Sequence, residues 1–160
     1  MSVIDTLITD RDQADLTAFN AMLLRINTYG WDSLLQAEKD AWYILKATYN
    51  PTDYNRVGNA MIYLRDLLNS YGYFCTLSPT IDWLFTDVQT TISDAEYIAQ
   101  LNAVKSWFYN TAQALPVAIS SLEDANKIEA MLVDINSWIE LMIDSRRHYA
   151  GTFYTGEDAL

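Results

Sequence analysis

From Ser121 onward the chain carries apolar side chains whose spacing alternates between three and four: Ala125, Ile128, Leu132, Ile135, Ile139 and Met142. That period places them on one face of an α-helix, whereas a strand would put every second residue on one face. Neither Gly nor Pro interrupts Leu122 to Tyr149, so the spacing predicts one helix over those residues, about 42 Å long at 1.5 Å per residue. Ser121-x-x-Asp124 supplies its N-terminal cap. Met131, Trp138 and Ile143 widen the stripe beyond what a two-stranded coiled coil requires. The helix is therefore expected to lie at the centre of a bundle, or to divide its face between a bundle and another subunit. Arg146, Arg147 and His148 in the last turn complement the negative end of the helix dipole.

The rest of the chain reads as helical too, because most of its 5 Gly and 3 Pro fall between segments of helical spacing. A first helix is expected after Thr9 or Asp10, with Thr9-x-x-Asp12 as a capping pattern and Leu16, Phe19, Met22, Leu23 and Ile26 on one face, ended by Gly30. A second is expected from about Leu35 to Thr48, presenting Ala37, Ala41, Leu45 and Thr48 with Trp42 beside them. Asn50-Pro51 breaks it. Thr52 or Asp53 then caps a third helix through Tyr54, Val57, Met61, Leu64, Leu68 and Tyr71 to Gly72. Gly58 within it points to a close helix crossing. Residues 73–92 form an irregular aromatic and Thr-rich stretch, with room for a short strand or one helical turn. A connection that long is either packed by its own aromatics or part of a contact surface. Ser93-x-x-Glu96 opens a fourth helix with Ile98, Leu101, Val104 and Phe108 on one face, stopping near Leu115-Pro116. The fold class is thus all-α: a bundle of about five helices in a single domain over 1–160, with terminal arms at 1–8 and 150–160. The second arm is a short aromatic tail in which Thr152 to Thr155 have strand-like composition.

Chemistry is harder to find. No Gly-rich phosphate loop and no Gly-x-Ser-x-Gly elbow occurs, and His148, the only histidine, has no metal-ligand spacing around it. No catalytic, cofactor or metal residues are assigned. The single cysteine, Cys75, leaves no intrachain disulfide and reads as a small apolar side chain, in keeping with synthesis in a cytoplasm. The opening residues lack a secretory pattern, and no apolar run reaches the length of a membrane helix. Acids outnumber bases 21 to 10, a net charge of −11, which disfavours nucleic acid and anionic lipid as partners. Ten of the acids lie between Asp82 and Asp144 against two bases, a local net of −8, and read as solvated helix faces. Aromatics are in surplus, 5 Trp, 11 Tyr and 5 Phe. Those outside the helix seams, among them Trp31, Trp83, Phe85, Phe153 and Tyr154, join Met131 and Trp138 as candidate partner-binding residues, because amphipathic rings favour interfaces and sugar stacking.

Several strings together resemble a known group of proteins. Leu7-Ile8-Thr9-Asp10-Arg11-Asp12-Gln13-Ala14-Asp15 is similar to an N-terminal "LITDRTQADV" signature. Trp42-x-x-Leu45-Lys46-Ala47-x-Tyr49-Asn50, Asp53-Tyr54-Asn55-Arg56-Val57-Gly58 and the Tyr63-Leu64 and Tyr71-Gly72-Tyr73 pairs follow in the group's order. Ala125-Asn126-x-Ile128-Glu129-x-x-Leu132-x-Asp134 and Tyr149-Ala150-Gly151-Thr152-Phe153-Tyr154-Thr155-Gly156-Glu157 complete it. The group comprises small proteins, or modules of larger ones, encoded in the structural gene regions of phages and prophages of Gram-positive gut bacteria. The chain departs from its pattern at Asp12 and Ala150, where Thr and Ser are commoner.

The resemblance implies a virion structural role in the tail or baseplate and brings no catalytic residues with it. Expected with it are a non-enzymatic protein made in the host cytoplasm and located in the virion, with other virion proteins as partners. The broad stripe of the last helix and the aromatic surfaces add a homo-oligomeric state assembled through them, and the negative charge argues against nucleic acid and membrane as partners. The alternative expectation is a host-surface module that stacks glycans on Trp31, Trp83 and nearby rings.

Overall fold

A computed structural model describes residues 2–84, 91–107, 115–116 and 118–154; the side chains of 91–94 and 147–154 lie outside the description. The fold is all-α, with five α-helices and no strand among the described residues. In chain order these are α1 (Gln13–Tyr29), α2 (Gln36–Trp42), α3 (Pro51–Ser70), α4 (Thr91–Lys105) and α5 (Leu122–Tyr154), with short 3-10 turns at Ile4–Thr6 and Trp31–Ser33.

The core forms where α5 packs against α3 and α4. On α5, Ala125, Ile128, Leu132, Ile135 and Ile139 are buried as their spacing requires, and Met142 is half-buried. They meet Tyr54, Val57, Met61, Leu64 and Leu68 of α3 and Tyr97, Ile98, Leu101 and Val104 of α4. The N-terminal segment packs along α5 as well, with Ile4 in the same core. The α5 cap is the expected one: the Ser121 hydroxyl accepts from the Asp124 backbone N–H at 3.1 Å and donates to its carboxylate at 2.9 Å.

Several boundaries depart from expectation, each for a local reason. The α1 cap is Asp12, which accepts from the Ala14 and Asp15 amides while Asp15 accepts from the Asp12 amide, one turn later than Thr9 would place it. The α3 cap is Asn50, with Pro51 in the first turn, where a missing N–H costs nothing, and Asp53 closing a capping box. The Asn50-Pro51 pair thus starts a helix as well as excluding one before it. The second helix stops at Trp42 instead of Thr48, and the Lys46 carbonyl is instead taken by the Arg11 guanidinium. The fourth helix begins at Thr91, upstream of Ser93, and ends at Lys105, well short of Leu115; Phe108 lies outside the described residues. The last helix continues to Tyr154, five residues beyond Tyr149. Residues 150–154 are therefore helical, which corrects the expected arm and the strand-like reading of Thr152 to Tyr154. Thr155 lies outside the described residues.

Residues 73–84 form an irregular strap without helix or turn. Its backbone is tied down by side chains of the helices it crosses. Asn69 of α3 both donates to the Cys75 carbonyl and accepts from the Cys75 amide. Asn55 does the same for Trp83, at 3.1 and 2.8 Å. Arg65 donates to the Leu77 carbonyl and Gln100 accepts from the Thr80 amide. Such amide pairs supply what a neighbouring strand would otherwise give. Gly58 is what lets the strap close in, since a Cβ there would stand 2.5 Å from the Thr80 carbonyl oxygen. The close approach at Gly58 is to this strap and not to another helix.

Candidate functional site

The polar centre of the molecule lies where the N-terminal segment, α3 and α5 converge. Arg11, Asp53 and Glu129 are buried, and Arg56 nearly so. Glu129 is fully enclosed, which corrects its assignment to a solvated acidic face. Its Oε1 accepts from Arg11 Nη2 at 2.6 Å and Arg56 Nη2 at 2.7 Å, and its Oε2 from Arg56 Nε at 3.1 Å and the Ile8 amide at 2.6 Å. Asp53 Oδ1 accepts from the same two guanidinium nitrogens, and its Oδ2 accepts from the Asn50 amide. Two cations and two carboxylates thus sum to zero.

Arg11 uses its whole fork. Nε donates to the Lys46 carbonyl, Nη1 to the Ile8 carbonyl and, at 3.5 Å, to Asn126, and Nη2 to both carboxylates. Asn126 also clasps the Arg11 backbone, accepting from its N–H at 3.1 Å and donating to its carbonyl at 2.9 Å. Burial opposes the charge on Arg56, but Glu129 and then Asp53 more than offset this and raise its pKa. Glu129 and Arg11 are fully engaged within this quartet, and Arg56, 15% exposed, borders a cavity of about 240 Å³ together with Asp53. The chemistry of the quartet is that of a fastener, holding a loop and two helices in register.

Beside it lies an aromatic cluster. Tyr49 and Tyr97 share a hydrogen bond through their hydroxyls, and the rings of Tyr54 and Trp83 pack against Tyr97 at centroid distances of 4.3 and 6.5 Å. Burial pushes the pKa of both Tyr49 and Tyr97 well above the ordinary value of 10. Among the described residues no group of three or more metal-ligating side chains forms. No described helix is long and apolar enough to cross a membrane.

The candidate partner-binding residues separate on burial. Met131 is fully buried and Trp83 is 7% exposed, so both are core and neither faces a partner; Trp83 is held by ring packing and by Asn55. Trp138 is 47% exposed on the outer side of α5. Trp31 is half-buried, edge-on to Trp42 at 6.2 Å and Tyr43 at 6.1 Å, with Lys39 over its ring. Leu23 and Ile26 join these three rings around a cleft of about 450 Å³ between α1 and α2. Phe153 and Tyr154 lie on the last turn of α5 with side chains outside the description, and Phe85 lies outside the described residues. Among the candidates whose side chains are described, Trp31 and Trp138 are the two that are not buried, and no cleft or ring contact joins them.

What sequence reasoning missed is the quartet. Its signal was present: Glu129 falls four residues after Ala125 and three before Leu132, on the edge of the apolar stripe, where a carboxylate requires a buried partner. The partners are spread along the chain, Arg11 ahead of α1, Asp53 and Arg56 on α3, and Asn126 beside Glu129 on α5. No known protein family, curated protein or solved structure matches the chain.

Proposed function

We propose that this chain is a non-enzymatic virion protein of a bacteriophage, a tail or baseplate component that acts by assembling with other virion proteins and with copies of itself. The observation that carries this reading is a division of labour. The buried charges are spent on one another, while large apolar side chains face outward on several elements: Leu24 and Tyr29 on α1, Leu35 and Ile44 around α2, Phe74 on the strap, and Trp138 and Leu141 on α5. Where such side chains lie together, as Trp138 and Leu141 do at i,i+3 on α5, they mark surface that a neighbouring protein can cover. The phage assignment rests on the resemblance of the N-terminal, central and C-terminal strings. Mass spectrometry of purified particles should find the chain, and light scattering on the isolated protein should find masses above 18.3 kDa. A clean monomer at high concentration together with absence from particles overturns the proposal.

The glycan-binding reading keeps one support, the aromatic cleft of Trp31, Trp42 and Tyr43, since Trp83 is not available for stacking. Glycan-array binding that disappears in Trp31→Ala would favour it. A flat array removes it.

A further inference from the structure

The strap presents a projection and a hollow side by side. Phe74 is 93% exposed, the most outward of the large apolar side chains among the described residues. Beside it is a cavity of about 290 Å³ lined by Leu68, Tyr73, Phe74, Cys75, Trp107 and Met142. A patch that carries both a knob and a hole can complement a copy of itself across a two-fold axis, the condition for an isologous dimer. Two further observations fall on the same segment. Exposure alternates strictly from Tyr71 to Pro79, as in an extended chain. The amide and carbonyl of Cys75 and the carbonyl of Leu77 are bound to α3 side chains, whereas the backbone groups of Phe74, Thr76 and Ser78 have no hydrogen-bond partner among the described residues. One edge of the strap is therefore open. Charge points to the same occupant: Leu67 to Ile81 contains no Asp, Glu, Lys or Arg, in a chain of net charge −11. Most faces of two such chains repel each other, and here they do not.

We propose that the strap around Phe74 is a self-association surface, on which a second copy of this chain docks reciprocally, each Phe74 ring entering the cavity of the other. The proposal deepens the assembly reading by naming a partner and a surface for it. Arg146, 4.8 Å above the Tyr73 ring and bonded to the Tyr71 carbonyl, stands at the rim.

Sedimentation equilibrium of the full chain over a concentration series should give a dimer of 18.3 kDa chains. Phe74→Asp should weaken dimerisation by at least about tenfold, as loss of a central aromatic anchor does. Thr76→Pro should weaken it too, because it removes an open-edge N–H that the monomer does not use. Helicity by circular dichroism should be unchanged in both. A monomer at every concentration overturns the proposal, as does a dimer indifferent to both substitutions. A monomer whose incorporation into particles is nevertheless lost in Phe74→Asp assigns the surface to a different protein and also overturns it. A Phe74-dependent dimer absent from particles supports this surface while removing the virion role.

Discussion

At the scale of single residues, the buried quartet is where stability is most exposed to change. Glu129 accepts four hydrogen bonds without contact with water. Glu129→Gln keeps the shape but leaves two guanidinium groups facing one carboxylate, and should cost about 3 kcal/mol, because the penalty for breaking a buried pair is an uncompensated charge. Urea denaturation measures it; a loss within experimental error would mean that water reaches the site. The tyrosine pair gives a pH prediction. Below the ordinary pKa of 10, Tyr49 and Tyr97 are protonated whether the chain is folded or not, and stability is independent of them. Above it, unfolding releases their protons while the folded state still holds them, so stability falls as pH rises toward their folded-state values. Absorbance titration at alkaline pH should show two tyrosines ionising only with unfolding, and Tyr97→Phe should reduce the steepness of the alkaline transition.

At the scale of elements, the strap decides an outcome that helix propensity would get wrong. Gly58→Ala in an open helix should add about 1 kcal/mol of stability. Here the new methyl would meet the Thr80 carbonyl oxygen at 2.5 Å and Ile81 Cγ2 at 3.0 Å. The strap would have to lift, straining the Asn55 clasp on Trp83, so the variant should be less stable by about 1 to 3 kcal/mol. Thermal unfolding gives the sign. Helix faces were legible in the sequence because period 3.6 leaves a pattern, and the α3, α4 and α5 core residues lie where that pattern put them. Helix ends were less so. Whether Asn50 or Asp53 caps α3, and whether α2 continues past Trp42, depends on long-range partners such as Arg11, which local spacing does not register. The α1 face was read correctly, yet Leu16, Phe19, Met22, Leu23 and Ile26 are only half-buried, because little packs on them besides Trp42 and its neighbours.

At the scale of the molecule, the excess of acid is distributed differently from what the sequence suggested. Removing Glu129 from the solvated set leaves nine acids and two bases between Asp82 and Asp144, with Lys127 paired to Glu123 at 2.6 Å. The surface ion pairs contribute little individually, so the self-repulsion of a chain of net charge −11 dominates the salt response. Added sodium chloride should therefore raise the melting temperature and strengthen self-association, by screening charges beyond about 8 Å at physiological ionic strength. A melting temperature that falls with salt would show that the surface pairs outweigh the repulsion.

The sequence by itself determined the helical class, the long last helix and the face it buries, since these follow from spacing and from the placing of Gly and Pro. Only the tertiary structure decided that Arg11, Asp53, Arg56 and Glu129 close on one another, that Gly58 admits a strap, and that Trp83 faces inward while Phe74 faces out. The physical reason is that a charged or aromatic side chain is compatible with either side of a surface, and what settles its side is a partner far away in the chain.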